Sequence, residues 1–201
     1  MANCWTITVD GLMRFYPNNI TDTCAIWNVL SSATLYHAAL TAGCYFACTS
    51  YVVYECLMKP RKTVTHADTT LRERLTRERA QGRFQEFHLT LDELEDVAVL
   101  ERRRRLGKGE LSSIAFARKN RQAFLTDDKK AKRLADEVCD AGMSQTTPEM
   151  LGWLFFNGGL LDSDLRQVIR EHQEVNRPLS KRFEATYREA LQYRLMSKKS
   201  A

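Results

Sequence analysis

The sequence predicts an α/β domain with a three-layer α/β/α arrangement, a central mostly parallel sheet between helices, continued by a region of helices alone. Three observations carry this. Short apolar stretches alternate with helix-length stretches as far as about residue 147, the order that builds a parallel sheet between helices. The stretch Gln122 to Thr126 has an uninterrupted apolar centre, Ala123-Phe124-Leu125, as expected of a strand covered on both faces. Beyond residue 147 only helical patterns remain. The expected divisions are an N-terminal extension over 1–18, an α/β domain over 19–147 and a helical region over 148–201 packed on it.

Within the extension, Trp5-Thr6-Ile7-Thr8-Val9 alternates like an edge strand, and Pro17-Asn18-Asn19 reads as a turn. Ile20-Thr21-Asp22 is a short strand end, and Asp22 or Thr23 can cap a helix reaching Leu40, stopped by Gly43. Cys44 to Thr49 predicts the second strand. Ser50 then opens a helix that carries Glu55 and ends near Pro60. A surface helix fits part of 61–83, where Leu71 and Leu75 are four apart.

Phe84 to Leu89 predicts another strand, and Thr90-Leu91-Asp92-Glu93 has capping-box spacing for a helix through Arg105. Gly107 and Gly109 break that helix, and Glu110 opens the next one. After the strand at Gln122 to Thr126, Asp127 and Asp128 cap a helix to about Ala141. Thr147-Pro148 starts a further helix, Gly158-Gly159 interrupts it, and two more follow over Ser163 to Gln173 and Ser180 to Leu195.

A length of 201 residues suits one domain with extensions, and a formal charge of +5 favours an anionic partner such as nucleic acid. The six cysteines lie mostly in apolar runs and form no disulfide framework, which fits a reducing, cytoplasmic setting. Cys44 and Cys48 are four apart, but buried free cysteine is the more common reading. The four histidines have no zinc or catalytic spacing. The N-terminus lacks the pattern of a secretory signal, and the stretch from Thr23 to Tyr54, free of Asp, Glu, Lys and Arg, is too interrupted by polar residues to span a membrane. No membrane association is expected.

The chemistry is expected from acids at strand ends. Asp22 and the pair Asp127-Asp128 end apolar strands, Glu55 follows the second strand, and Glu110 sits in Gly107-Lys108-Gly109-Glu110. If their strands are parallel neighbours these acids converge, because ligand sites in open α/β sheets lie at the carboxyl ends of the strands. Clustered carboxylates repel one another and call for a cation, and hard oxygen donors suit Mg²⁺ or Mn²⁺. No Walker or Gly-x-Gly-x-x-Gly pattern supports nucleotide binding through the glycines.

These same motifs, Asp22-Thr23, Glu55, Gly107-x-Gly109-Glu110 and Leu125-Thr126-Asp127-Asp128 with Ala131 and Leu134-Ala135, resemble the PIN-domain family. The likeness is to its predicted nucleic-acid-binding members and to its toxin ribonucleases, and it covers roughly residues 19 to 165, with Leu151-Gly152-x-Leu154 and Gly159-Leu160-Leu161 in the helical continuation. It implies a divalent-metal-dependent endoribonuclease, hydrolysing RNA with Mg²⁺ or Mn²⁺, with an antitoxin protein and a homodimer as expected partners. Asp22, Glu55, Glu110 and Asp127 or Asp128 would then be the catalytic and metal-binding acids. The departures are the long charged stretch Lys59 to Arg83, the N-terminal extension and the final helix, which bear on substrate and partner.

Plainer readings stand beside these. Asp22 alone could be a helix cap, and Glu55 could pair with a distant arginine. Thr126 could bond a metal-bound water or simply end its strand, and Asn28 could lie near the site or serve as a polar cap. The cations Arg102, Arg103, Arg104, Arg105, Lys108, Lys129 and Lys130 could track an RNA backbone or form a solvated face. Trp153, Phe155 and Phe156 pack the helical tail or a dimer face. The alternatives in function are a non-catalytic module that binds nucleic acid or protein, and a nuclease directed at DNA in defence or repair.

Overall fold

Five short strands and ten α-helices make up the described part of the chain, residues 14–199 of the computed structural model. The order is β1 (Asn18–Thr21), α1 (Thr23–Ser31), α2 (Ala33–Thr41), β2 (Tyr45–Thr49) and α3 (Ser50–Val53), which runs into a π-helical turn, Tyr54–Met58. Then come α4 (His66–Ala80), β3 (Gln85–Phe87), α5 (Leu91–Arg103), α6 (Lys108–Asn120), β4 (Ala123–Leu125) and α7 (Lys129–Val138). The chain continues through β5 (Ser144–Gln145), α8 (Thr147–Phe156), α9 (Asp164–Glu174) and α10 (Ser180–Lys199).

All five strands are parallel, in the order β3-β2-β1-β4-β5. Successive side chains of a strand point to opposite faces, and the apolar residues here are divided accordingly. Ile20, Ala47 and Phe124 pack against α5, α6 and α7 through Val97, Leu100, Leu111, Ile114 and Leu134. Phe46, Cys48 and Leu125 pack on the other face, where α1, α2, α4, α8, α9 and α10 share one core. Each large apolar side chain buried this way contributes about 1.5–3 kcal/mol, so the double coverage of β4 makes it an anchor of the sheet. The helices after residue 147 share their core with α1 and α2: Phe155, Leu151 and Phe183 lie with Ile26 and Leu35.

The order of strands places the reversal of winding between β1 and β4, since the chain builds outward to β3 on one side and returns to add β4 and β5 on the other. The crevice at the carboxyl ends of β1 and β4 is where such sheets bind ligands.

Several local expectations change. Asn18 and Asn19 belong to β1 rather than to a turn, paired with Tyr45 and Phe46 across the sheet. The single helix expected to Leu40 is two helices, broken at Ser32, whose hydroxyl accepts from Leu35 N–H at 3.0 Å and caps α2. Glu171 of α9 fixes that break by accepting from the Ser32 hydroxyl and the Thr34 N–H at 2.6 and 3.1 Å. Asp128 rather than Asp127 caps α7, which ends at Val138 rather than near Ala141. β5 has no counterpart in the sequence pattern: two polar residues suffice because Phe124 and Thr126 supply the N–H donors to Met143 and Gln145. The edge strand expected at Trp5 to Val9 lies outside the described residues.

Candidate functional site

Asp22 follows β1 directly, and its backbone N–H donates to Leu125 of β4 at 3.3 Å, so the residue stands in the crevice between the two strands. One carboxylate oxygen caps α1 by accepting from Ala25 N–H at 2.8 Å. The other accepts from the Thr126 hydroxyl. Thr126 does more than end its strand, since it also accepts from Asp128 N–H at 3.1 Å and ties the ends of β1, β4 and α7 together. Asp22 is wholly buried, and burial, outweighing these donors, pushes its pKa up to about 7, with Asp127 and Glu110 adding repulsion.

Asp127 is half-buried one residue beyond Thr126. It accepts from Asn28 Nδ2 at 2.7 Å, from Thr147 N–H at 3.0 Å and from the Thr147 hydroxyl at 2.5 Å. Burial raises its pKa against those bonds and against the charge of Arg182. Asn28 thus lies in the site and not in a cap, and its carbonyl oxygen accepts in turn from Arg177 Nε at 2.8 Å. Asp128 sits alongside, with one oxygen capping α7 through Lys130 and Ala131 N–H at 2.7 and 2.9 Å.

Glu55 and Glu110 form the rim of this crevice. A single π turn shifts the face of a helix by about one residue. Here Lys59 N–H donates to Tyr54 O at 2.8 Å, five residues back, and Glu55 swings toward α6. Its oxygens accept from the Thr23 hydroxyl at 2.7 Å and Gly109 N–H at 3.4 Å, so it bridges the start of α1 and the start of α6. Glu110 accepts from Gly107 N–H at 2.6 Å in a capping arrangement. Burial raises its pKa, as do the charges of Asp128 and Glu55, while Lys130 opposes them.

The glycines of Gly107-Lys108-Gly109-Glu110 have a steric purpose. A Cβ on Gly109 would stand 2.5 Å from Glu55 Oε2, and one on Gly107 would stand 3.2 Å from Glu110 Oε2. The motif lets two carboxylates lie against the N-terminus of a helix, where the N–H groups and the helix dipole favour negative charge.

The five acids predicted from sequence are thus linked in one chain of repulsions, Asp127 to Asp22, Asp22 to Glu110, and Glu110 to Glu55 and Asp128. Their donor chemistry fits Mg²⁺ or Mn²⁺, which take few carboxylates and complete their shell with water and substrate phosphate. Among the described residues no three acid, histidine or cysteine side chains stand as a ready-made ligand set. Each carboxylate oxygen of Asp22 keeps a second lone pair beyond its one hydrogen bond.

The predicted cations divide. Lys130 is the one whose charge reaches Glu110, and Lys108 lines a cleft with Glu55. Arg104 is engaged with Glu137 at 2.5 Å, while Arg102, Arg103 and Arg105 are exposed at the end of α5 and beyond it. Lys129, at the first position of α7, is exposed. Sequence reasoning missed Arg177, Arg182, Thr147 and Glu149, whose buried carboxyl is raised by burial and by Asp127. Thr146 and Glu149 have the Thr-x-x-Glu spacing of a capping box, but only the packing of the C-terminal helices brings these residues to the acids.

Cys24, which accepts from Arg177 Nη2 at 3.8 Å, has its thiol pushed up to about 12 by burial and by the charges of Asp22, Asp127 and Asp128, with Arg177 opposing them, so it is held in the thiol form. His172 is neutral, lowered to about 3 by burial, and accepts from Leu179 N–H, which leaves Nδ1–H for the Ser31 hydroxyl. No described helix is long and apolar enough to cross a membrane. Searches against known protein families, curated proteins and solved structures find no match.

Proposed function

We propose that this chain is a divalent-metal-dependent phosphodiesterase acting on RNA, of the kind its PIN-like motifs imply. The observation that carries the reading is the convergence of Asp22, Glu55, Glu110 and the Asp127-Asp128 pair at the switch point of a parallel sheet, where Asp127 and Glu110 raise the pKa of Asp22 and Asp128 and Glu55 raise that of Glu110. Lys130 and Arg182 offset only part of the charge of five carboxylates, so an external cation is the natural partner.

Asp22 would form the floor of a Mg²⁺ or Mn²⁺ site, Glu110 and Asp128 one wall, Glu55 and Asp127 the others. The ion would lower the pKa of a bound water and stabilise charge on the phosphate. The chain's own contributions are positional: Thr126 aims Asp22, Asn28 and Thr147 aim Asp127, and Lys130 and Lys108 draw the polyanion toward the acids. The toxin role, with an antitoxin partner and a homodimer, belongs to the same proposal and rests on the resemblance.

The test is cleavage of end-labelled RNA and DNA by purified protein with Mg²⁺, Mn²⁺ or EDTA, comparing wild type with Asp22→Asn and Glu110→Gln. Metal-dependent RNA cleavage lost in both variants is the expected result. A second reading, a binding module without catalysis, draws on Asp127, whose carboxylate already accepts three hydrogen bonds. Absent activity, or activity surviving both substitutions, would put that reading first, and DNA cleaved in preference to RNA would redirect the enzyme to DNA.

A further inference from the structure

Beside the acids lies a cleft of about 510 Å³, within the range of small-ligand sites, lined by Tyr51, Tyr54, Glu55, Lys59, Gly107 and Lys108. Tyr51 and Tyr54 are three residues apart where α3 passes into the π turn, so their rings share a face. Several other aromatic rings pair in the core: Tyr36 and Phe46 with Phe84, Phe87 with Phe116, Phe155 with Tyr187. Among the described residues no ring pairs with Tyr51 or Tyr54, and Tyr54 is 49% exposed.

Lys59 and Lys108 flank the same cleft, and the bond between Lys108 and Glu101, exposed on both sides, is weak and open to exchange for a phosphate. Glu55 joins cleft to crevice, since it lines the first and bonds to Thr23 and Gly109 in the second. Two unpartnered rings between two ammonium groups match one ligand chemistry closely: a base that offers a π-face to stack on, with phosphates on either side.

We propose that Tyr51 and Tyr54 form a nucleobase subsite that holds one unstacked nucleotide of a single strand, with its neighbouring phosphodiester delivered across Glu55 to the acids. This rests on the phosphodiesterase reading for its place next to a scissile bond. The binding itself does not need the metal. A duplex, whose bases are stacked and paired, presents no free face and is a poor ligand.

The experiment uses the full chain in EDTA, so that nothing is cut. Fluorescence anisotropy follows a 5′-labelled mixed-sequence 12-mer as RNA and as DNA, its duplex, and a strand of equal length made of abasic residues. Tyr51→Ala and Tyr54→Ala are expected to weaken single-strand binding by roughly tenfold each, in keeping with the loss of one stacked base. Tyr54→Phe should bind within about twofold of wild type, because the ring and not the hydroxyl stacks. Wild type should prefer the base-bearing strand over the abasic strand and the duplex. Equal binding by wild type and both alanine variants, or by base-bearing and abasic strands, overturns the subsite.

Mn²⁺-dependent hydrolysis of bis(4-nitrophenyl) phosphate, which carries no nucleobase, separates the two readings. Hydrolysis that persists in Tyr51→Ala and Tyr54→Ala while strand binding falls supports the subsite. Base-dependent binding with no hydrolysis by wild type supports the subsite and removes the phosphodiesterase reading. Hydrolysis by wild type with no base-dependent binding does the reverse.

Discussion

Glu78 and Asp22 are both buried carboxylates on the same protein, and their surroundings differ in kind. Glu78, in α4, receives the Tyr36 hydroxyl at 2.9 Å, a guanidinium hydrogen bond from Arg83, and Arg77 at 3.6 Å. Burial pushes its pKa up, but the bonds from Arg83 and Tyr36 and the two guanidinium charges outweigh burial and leave it below the usual carboxylate range. Asp22 receives only a hydroxyl and a backbone N–H, and acids stand where the arginines would be, so its pKa rises. The charges that raise the pKa of Asp22 are those of Asp127 and Glu110, and those that raise Glu110 are Asp128 and Glu55. The guanidinium groups hold Glu78 below the ordinary range, whereas at the switch point the charges of Lys130 and Arg182 offset only part of the burial and repulsion felt by Glu110 and Asp127, which is the behaviour of a site completed from outside.

The largest effect expected is on activity. Asp22→Asn should reduce metal-dependent cleavage by more than about a hundredfold, the scale of losing one oriented charged group in a site, while its melting temperature holds or rises because a buried repulsion is removed. If the variant cleaves as wild type does, Asp22 is no more than a cap. Glu78→Gln should do the opposite. It leaves the arginines facing an amide and should cost about 1–3 kcal/mol in chemical denaturation while retaining the specific activity of the folded protein.

Gly109→Ala sharpens the contrast by separating stability from chemistry. The added methyl must displace the Glu55 carboxylate, which is at the end of a flexible side chain, while alanine is favoured over glycine in a helix by about 1 kcal/mol. Unfolding should be unchanged or slightly harder, and cleavage should fall toward the level of Glu55→Gln. An active Gly109→Ala would mean that the position of Glu55 is unimportant.

The smallest effect is in pH dependence, where the two acids have opposite signs. Asp22 binds a proton more tightly folded than unfolded, so its contribution to stability is present below the ordinary aspartate value of 3.8 and is lost as pH rises through about 7. In EDTA the melting temperature should therefore fall between pH 5 and 8, and Asp22→Asn should flatten that slope. Mn²⁺ should restore stability at the upper end if the acids take up the ion. Glu78 binds its proton less tightly when folded, so its stabilisation is present at neutral pH and is lost only as pH falls below the ordinary glutamate range. A melting temperature flat from pH 5 to 8 in wild type would remove the distinction.

Legibility in the sequence followed the range of the interaction concerned. Asp22 and Thr90 act within one helical turn, and so the caps of α1 and α5 could be read from spacing, while the cap of α8 is Thr146, one residue before the Thr147 that the threonine-proline order suggests. Ala123-Phe124-Leu125 announced a doubly covered strand because burial on both faces excludes polar residues. The acids themselves were visible as strand-end and glycine-flanked residues. Their meeting was conditional on neighbouring strands.

Tertiary structure decided that condition. The order β3-β2-β1-β4-β5, with β1 beside β4, follows from how the crossover helices divide between two faces, a global balance of buried area that no local pattern states. It brings Thr126 to Asp22 across 104 residues, and the packing of the C-terminal helices brings Arg177 to Asn28 across 149. It also placed two polar residues in β5, whose backbone is paired because β4 offers an open edge. By itself the sequence determined which side chains could do chemistry, since charge, caps and apolar runs are local properties. Which of them share a site was left to packing, because hydrophobic burial acts on the chain as a whole.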